Sequence, residues 1–268
     1  MLSMTTDYAK GTGDPSPALR RIAEAGFTHV HWCHQWNTDF LYSRWEVEAI
    51  DKWLREFGLD LLDLHGSHGV EKQWASPEEY RRLSGVELVQ NRIDMTSRLG
   101  GEVVIMHFPG EGTYDALRRS LDALEGYAGE RGVRLAIENG AFDAIGRILA
   151  DYPPEYVGLC YDSGHGNMEA GGMDHLDRLK DRLISIHLHD NDGSGDQHNL
   201  VFSGTVDWAR LAGILARSSY AKCVSMETTI HKTGIADETA FLATAFAAGT
   251  RFAEMVAAAR RERRTVVV

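Results

Sequence analysis

Residues 183–198 read LISIHLHDNDGSGDQH. The stretch opens as an apolar run, Leu183 to Ile186, and ends in His187-Leu188-His189-Asp190. A strand buried on both faces gains nothing by ending in two imidazoles and a carboxylate. Alternation puts His187 and His189 on one face. The polar, glycine-bearing loop beyond adds Asp196 and His198, and a helix can begin at Val206-Asp207-Trp208. Taken alone, the stretch also fits a polar loop with surface histidines. The other strand ends decide between the two.

Working outward, the same grammar recurs along the chain. Short apolar runs lie at 2–6, 28–32, 59–64, 102–106, 134–137, 156–161 and 222–226. Helical periodicity separates them at 16–25, 45–57, 77–99, 114–130, 142–150, 176–182, 208–215 and 240–261. Ser16 and Ser76 are placed to cap, Pro17 suits a first turn, and Gly26, Gly58, Gly100 and Gly132 end helices. The tail RRERRTVVV, charged and then β-branched, is expected to fray or pack locally. Eight strands alternating with helices, and no linker or repeat, predict an α/β fold: a (β/α)8 TIM barrel forming one domain over 1–268. A doubly wound open sheet is the rival, but it would concentrate its site at one switch point. Here polar residues end nearly every strand.

The bulk numbers narrow the class. The 268 residues are 43% hydrophobic and 25% charged, as in an ordinary soluble globular protein. Cys33, Cys160 and Cys223 give no paired framework, so a reducing, cytoplasmic setting is expected. The start MLSMTTDYAKGTGD lacks the basic and apolar regions of a signal peptide, and no run is long enough to span a membrane. A formal net charge of -11 argues against unspecific nucleic-acid binding, which wants a positive footprint.

The strand ends carry His65, His107, Glu138, Asp162, His165, His187 and Glu227, with Asp196 and His198 from the loop. A barrel gathers them around one mouth. All are residue types that bind Zn, Mn, Fe or Co through nitrogen or carboxylate oxygen. Four carboxylates in one cleft raise one another's pKa unless a cation compensates. No lysine or arginine ends these strands, so a divalent metal is the expected cofactor.

These residues resemble the xylose isomerase-like TIM-barrel superfamily, which includes sugar isomerases and epimerases, inosose dehydratases and the endonuclease IV group. The resemblance runs from GFTHVHW to SMETT and is most specific in AIENG, YDSGHG, HLHDNDG with GDQH, and METT. The epimerase pattern implies one ion on Glu138, Asp162, His187 and Glu227, with His165 touching substrate. The nuclease pattern adds His65, His107, His165, Asp196 and His198, with Glu138 bridging two ions. Three departures stand out. Trp32-Cys33-His34-Gln35-Trp36 lies where those nucleases use an arginine. Gly66-Ser67-His68 replaces a tyrosine-bearing loop, and Val201-Phe202-Ser203-Gly204 alters a Pro-Gly-x-Gly loop.

The expected function is a metal-dependent sugar or polyol isomerase/epimerase acting through an enediolate. Glu138 and Glu227 would move the proton, His165 would assist, and Trp32, His34, His68, Phe108, Asn139, His189 and Asp190 would line the substrate. The alternatives are an endonuclease IV-like phosphodiesterase with a multinuclear zinc site, a metal-dependent dehydratase or C-glycoside-cleaving lyase, and a non-enzymatic sugar-binding barrel. The expected partner is a small carbohydrate. Nucleic acid and membrane are disfavoured, and a homo-oligomer is left open by the alanine-rich helix after residue 240.

Overall fold

The computed structural model describes residues 1–36, 41–66, 69–108 and 113–266. Its strands are β1 (Leu2–Thr5), β2 (His29–Trp32), β3 (Asp60–His65), β4 (Val103–His107), β5 (Arg134–Glu138), β6 (Val157–Asp162), β7 (Leu183–His187) and β8 (Val224–Met226). They form one parallel sheet in the order β7-β6-β5-β4-β3-β2-β1-β8. The last gap closes through Leu188, which bridges Met226. The Leu188 N–H donates to the Ser225 carbonyl at 3.0 Å, and the Glu227 N–H to the Leu188 carbonyl at 3.0 Å. The residue between the two histidines of the HLH run therefore completes a barrel, and the open-sheet rival falls.

The helices are α1 (Ser16–Glu24), α2 (Arg44–Phe57), α3 (Glu79–Arg98), α4 (Tyr114–Glu130), α5 (Phe142–Asp151), α6 (Ser163–Met168), α7 (Gly172–Leu179), α8 (Trp208–Arg217) and α9 (Glu238–Val266). Short 3₁₀ turns occupy Val70–Lys72 and Lys180–Arg182. Among the described residues no helix is long and apolar enough to cross a membrane.

Side-chain alternation builds two apolar layers. Outward residues such as Val104, Met106, Leu135 and Ile137 pack in one cluster with the helices. Val103, Ile105, Ala136, Cys160 and Ile184 form a separate small cluster. Val103 and Ile105 share a face with His107, Ala136 with Glu138, and Cys160 with Asp162, so this cluster lies inside the barrel, below the mouth.

Several local expectations need correction. Ser16 is the first helical residue and makes no cap; Asp14 accepts its N–H at 2.9 Å, and Pro15 takes the cap position. Helix α3 begins at Glu79, two residues after Pro77, and Ser76 Oγ instead accepts the Glu78 N–H at 3.2 Å. The helix expected at 176–182 is two pieces, α7 from Gly172 and the 3₁₀ turn Lys180–Arg182, and Gly171 and Gly172 separate it from the short α6. A methyl on Gly172 would sit 2.1 Å from the Gly166 carbonyl oxygen, so only glycine permits that crossing. The helix expected to end near 261 continues to Val266, and Arg260 and Arg263 tie it to the Tyr220 and Ala216 carbonyls. Helix α2 carries a full capping box, Ser43 with Glu46, and ends at Gly58 with φ of 69°.

Candidate metal centre

Each site residue is placed by an ordinary backbone event. Asp162 ends β6 and caps α6, its Oδ1 accepting the His165 N–H at 2.7 Å. Asn139, just past β5, clips the backbone of the same residue in place. Its Nδ2 donates to the Asp162 carbonyl at 3.1 Å, and its Oδ1 accepts the Asp162 N–H. Asp190 anchors the loop carrying Asp196 and His198. It accepts from the Asn191 and Val206 amides at 3.0 and 3.1 Å and from Trp208 Nε1 at 2.8 Å.

The polar residues fall into two neighbouring groups. Around Glu138 stand three imidazoles: His107 Nε2 at 2.6 Å, His187 Nδ1 at 2.9 Å and His65 Nε2 at 3.6 Å. The His187 Nδ1 also lies 2.8 Å from Glu227 Oε2, so one ring nitrogen faces both glutamates. The second group centres on Asp162 and Asp196. His189 Nε2 is 3.0 Å from Asp162 Oδ1 and 3.5 Å from Asp196 Oδ1. His165 and His198 approach Asp196 at 3.4 and 3.2 Å, and the His189 and His198 rings stack at 4.0 Å.

The donors fit a divalent ion. Asp162 Oδ2 and His189 Nδ1 are buried without a hydrogen-bond partner, an arrangement that costs free energy unless something else satisfies them. The sets His65/His107/Glu138, Asp162/His165/His189 and His189/Asp196/His198 each bring their ligand atoms within 4.8 Å of one another. Burial opposes ionisation of Glu138 and Glu227, but the imidazoles around them hold both carboxyls well below the usual range. Burial also disfavours charge on His165 and His198, yet Asp196 and nearby carboxylates push both up to about 10. With no metal bound, the cluster compensates its carboxylates with protons, and an ion must displace them.

The residues expected to line the substrate divide. His189 is a metal-capable residue, in the two sets around Asp162 and Asp196. Asn139 spends its polar atoms on backbone, and Asp190 spends its own on two amides and the Trp208 indole, as described. Trp32 is buried and donates Nε1 to Tyr42 Oη at 2.8 Å. Both ring nitrogens of His34 face carbonyls, of Lys10 at 3.1 Å and Gly13 at 2.5 Å. Phe108 packs in the main core. These five hold the scaffold of the mouth rather than present free polar groups to it. His68 lies outside the described residues. The altered 201–204 loop has its own logic: Phe202 takes φ of 73°, and a methyl on Gly204 would meet the Asn191 carbonyl at 2.2 Å.

The reading from sequence missed three residues beneath the mouth: His31, Asp63 and Cys160, all buried. Their signal was present. Asp63 is a carboxylate inside an apolar strand, LLDLH, and His31 sits in HVHW, which has the same alternation as HLH.

Gly164 makes a direct test of the second group. A methyl there would sit 1.9 Å from His189 Cε1. Gly164→Ala is expected to push the ring off Asp162 and weaken Co²⁺ binding by at least about 10-fold, the usual scale for displaced metal-site support. Chelator competition measures it, and unchanged affinity in a folded variant contradicts the placement.

The chain has relatives of known sequence and of known structure. An uncharacterised protein of Sinorhizobium fredii, y4fM, is 32% identical over 91% of this chain and 90% of that one. The uncharacterised Methanocaldococcus jannaschii protein MJ1311 is 24% identical over 57% of this chain and 59% of that one. Among solved structures, an L-ribulose 3-epimerase superposes with a TM-score of 0.81 at 16% identity, covering 100% of this chain and 98% of that one. A D-tagatose 3-epimerase-like protein gives 0.78 at 19% identity, covering 95% and 97%. The Escherichia coli 3-keto-D-glucoside 4-epimerase YcjR gives 0.75 at 19% identity, covering 93% and 98%. Residues 19–245 match the family described as xylose isomerase-like TIM barrel, and the chain belongs to that family.

Proposed function

We propose that the protein is a divalent-metal-dependent sugar or polyol isomerase or epimerase, moving a proton on the carbon next to a carbonyl by way of an enediolate. The observation that carries this is the pair Glu138 and Glu227. They stand on different sides of the barrel mouth, are both buried, and both face the same His187 nitrogen. Two ionised carboxylates held in opposition are what proton removal and return at one carbon require. The fold shared with several sugar epimerases supports the reading.

Glu138, Asp162 and Glu227 would hold the ion with a histidine of the HLH pair. His189 is the better placed, with Nε2 beside Asp162 and Nδ1 unsatisfied. The bound ion supplies Lewis-acid polarisation of the substrate oxygens. This chain's residues do the rest. The glutamates take and give the proton, and His165, a quarter exposed at the rim, can orient a hydroxyl. Burial of the carboxylates keeps bulk water from competing. The expected substrate is a small carbohydrate, and the expected setting is the cytoplasm.

The test is turnover of free ketohexoses and ketopentoses in D₂O by the metal-loaded protein. Deuterium should enter the carbon beside the carbonyl. A panel that turns over without deuterium uptake, or does not turn over at all, removes the proposal.

A phosphodiesterase with several ions is the second reading, favoured by the fully formed Asp196 group. The ion count separates the two. If Asp196, His165 and His198 hold a further ion, Asp196→Ala with His198→Ala loses one ion per chain by mass spectrometry. Loading that ion at pH 7.5 then releases about two protons, because both histidines are protonated below about 10. Affinity at this trio accordingly falls as pH is lowered. Calorimetry in buffers of different ionisation enthalpy counts the protons. An unchanged ion count in the double variant leaves the mononuclear sugar enzyme.

A further inference from the structure

One polar group in the barrel interior has no part in the proposed reaction. His31 on β2 and Asp63 on β3 are fully buried, and His31 Nδ1 lies 2.8 Å from Asp63 Oδ1. The other oxygen of Asp63 accepts from Ser185 Oγ on β7. A carboxylate taken out of water inside a barrel costs several kcal/mol unless it is well paired. Three strands converge here to pair this one, and what it holds is a ring.

That ring is aimed. With Asp63 accepting from Nδ1, the His31 proton is fixed on that side. Nε2 lies buried on the opposite edge of the ring. It points to Glu227 Oε1 at 3.6 Å. The His187 ring lies alongside, 4.2 Å between centroids, with Nδ1 2.8 Å from Glu227 Oε2. The ring nitrogen and the carboxylate face each other across a gap that wants a positive charge, a ring proton or an ion that takes its place. Ligating histidines usually donate their other N–H to a carboxylate, which fixes ring and tautomer. Asp63 and His31 have that relation.

We propose that His31, His187 and Glu227 form a cation site in the barrel interior, beneath the candidate metal centre and sharing Glu227 with it. Two imidazole nitrogens and a carboxylate select a zinc-like transition ion over magnesium or calcium. Binding replaces the proton between His187 and the glutamates with the ion, and the released proton goes to solvent. The consequence is mechanical: Glu227 is gripped from below. The inference concerns ion binding alone and stands whether or not the protein acts on sugars.

The experiment is ion counting and Co²⁺ titration of the full-length protein, stripped with chelator, for the wild type, His31→Leu and Asp63→Asn. His31→Leu is expected to lose one ion per chain while the ions at the mouth remain. Asp63→Asn keeps an acceptor for Nδ1–H, so it should retain the ion with affinity weakened about 10-fold or more. Equal ion number and equal affinity in wild type and folded His31→Leu overturn the proposal. If His31→Leu does not fold, anomalous scattering at the zinc edge from wild-type crystals decides. A peak between His31 Nε2 and Glu227 supports the site, and ions confined to the mouth overturn it. A protein that passes this test but exchanges no deuterium with any ketose keeps the cation site and loses the sugar reading.

Discussion

Glu227→Gln is expected to lower epimer interconversion by about 10³-fold, in the range that a positioned acid or base contributes. Glutamine keeps the shape and one ligand oxygen but cannot carry the proton. Glu138→Gln should lose as much. The two variants should nonetheless differ in what they retain. If each glutamate serves one face of the carbon, each variant still exchanges solvent deuterium into one epimer, and neither interconverts the pair. The measurement is mass spectrometric deuterium content alongside product ratio, with the metal content of each variant checked first. Interconversion within 10-fold of the wild type in Glu227→Gln, with the ion bound, would sink the assignment of that residue as a base.

The second large effect is on stability. Asp190→Ala is expected to destabilise the fold by about 3–5 kcal/mol, because it strands three donors: the Asn191 and Val206 amides and Trp208 Nε1. Each buried unsatisfied donor costs about 1–3 kcal/mol, and the three share one acceptor, so the costs do not add fully. Asp190→Asn should lose less, since one oxygen remains for the amides. Urea unfolding measures this as a shift of midpoint at constant slope. A midpoint within error of the wild type would show that Asp190 is not the pin of the 190–208 loop. In that case its earlier assignment to substrate regains its place.

How far the site could be read in advance depends on where each residue's partners lie. Strand ends are legible because an apolar run that stops at His, Glu or Asp breaks a local rule. Glu138, Asp162 and Glu227 were visible in that way, one strand at a time. Asp190 and Asn139 break the same rule for a different reason. They hold backbone amides and carbonyls far along the chain, and a side chain that satisfies the scaffold looks in sequence like one that meets a ligand. His34 shows the same ambiguity, with both nitrogens bound to carbonyls of the loop after β1. His31 and Asp63 were missed because each lies within its strand among apolar neighbours and not at the strand's polar end. Only the barrel brings them together, across β2 and β3.

The sequence alone determined that this chain alternates strands with helices and ends its strands in metal-capable residues. Both facts are local: periodicity and strand ends are written within about ten residues. Tertiary structure decided the rest. It closed the sheet through Leu188, sorted the metal-capable residues into groups, and set His189 beside Asp162. It also set His187 between two glutamates and buried His31 against Asp63. These depend on which atoms come within about 3 Å of one another, and that is settled by barrel register and side-chain layering between strands distant in sequence.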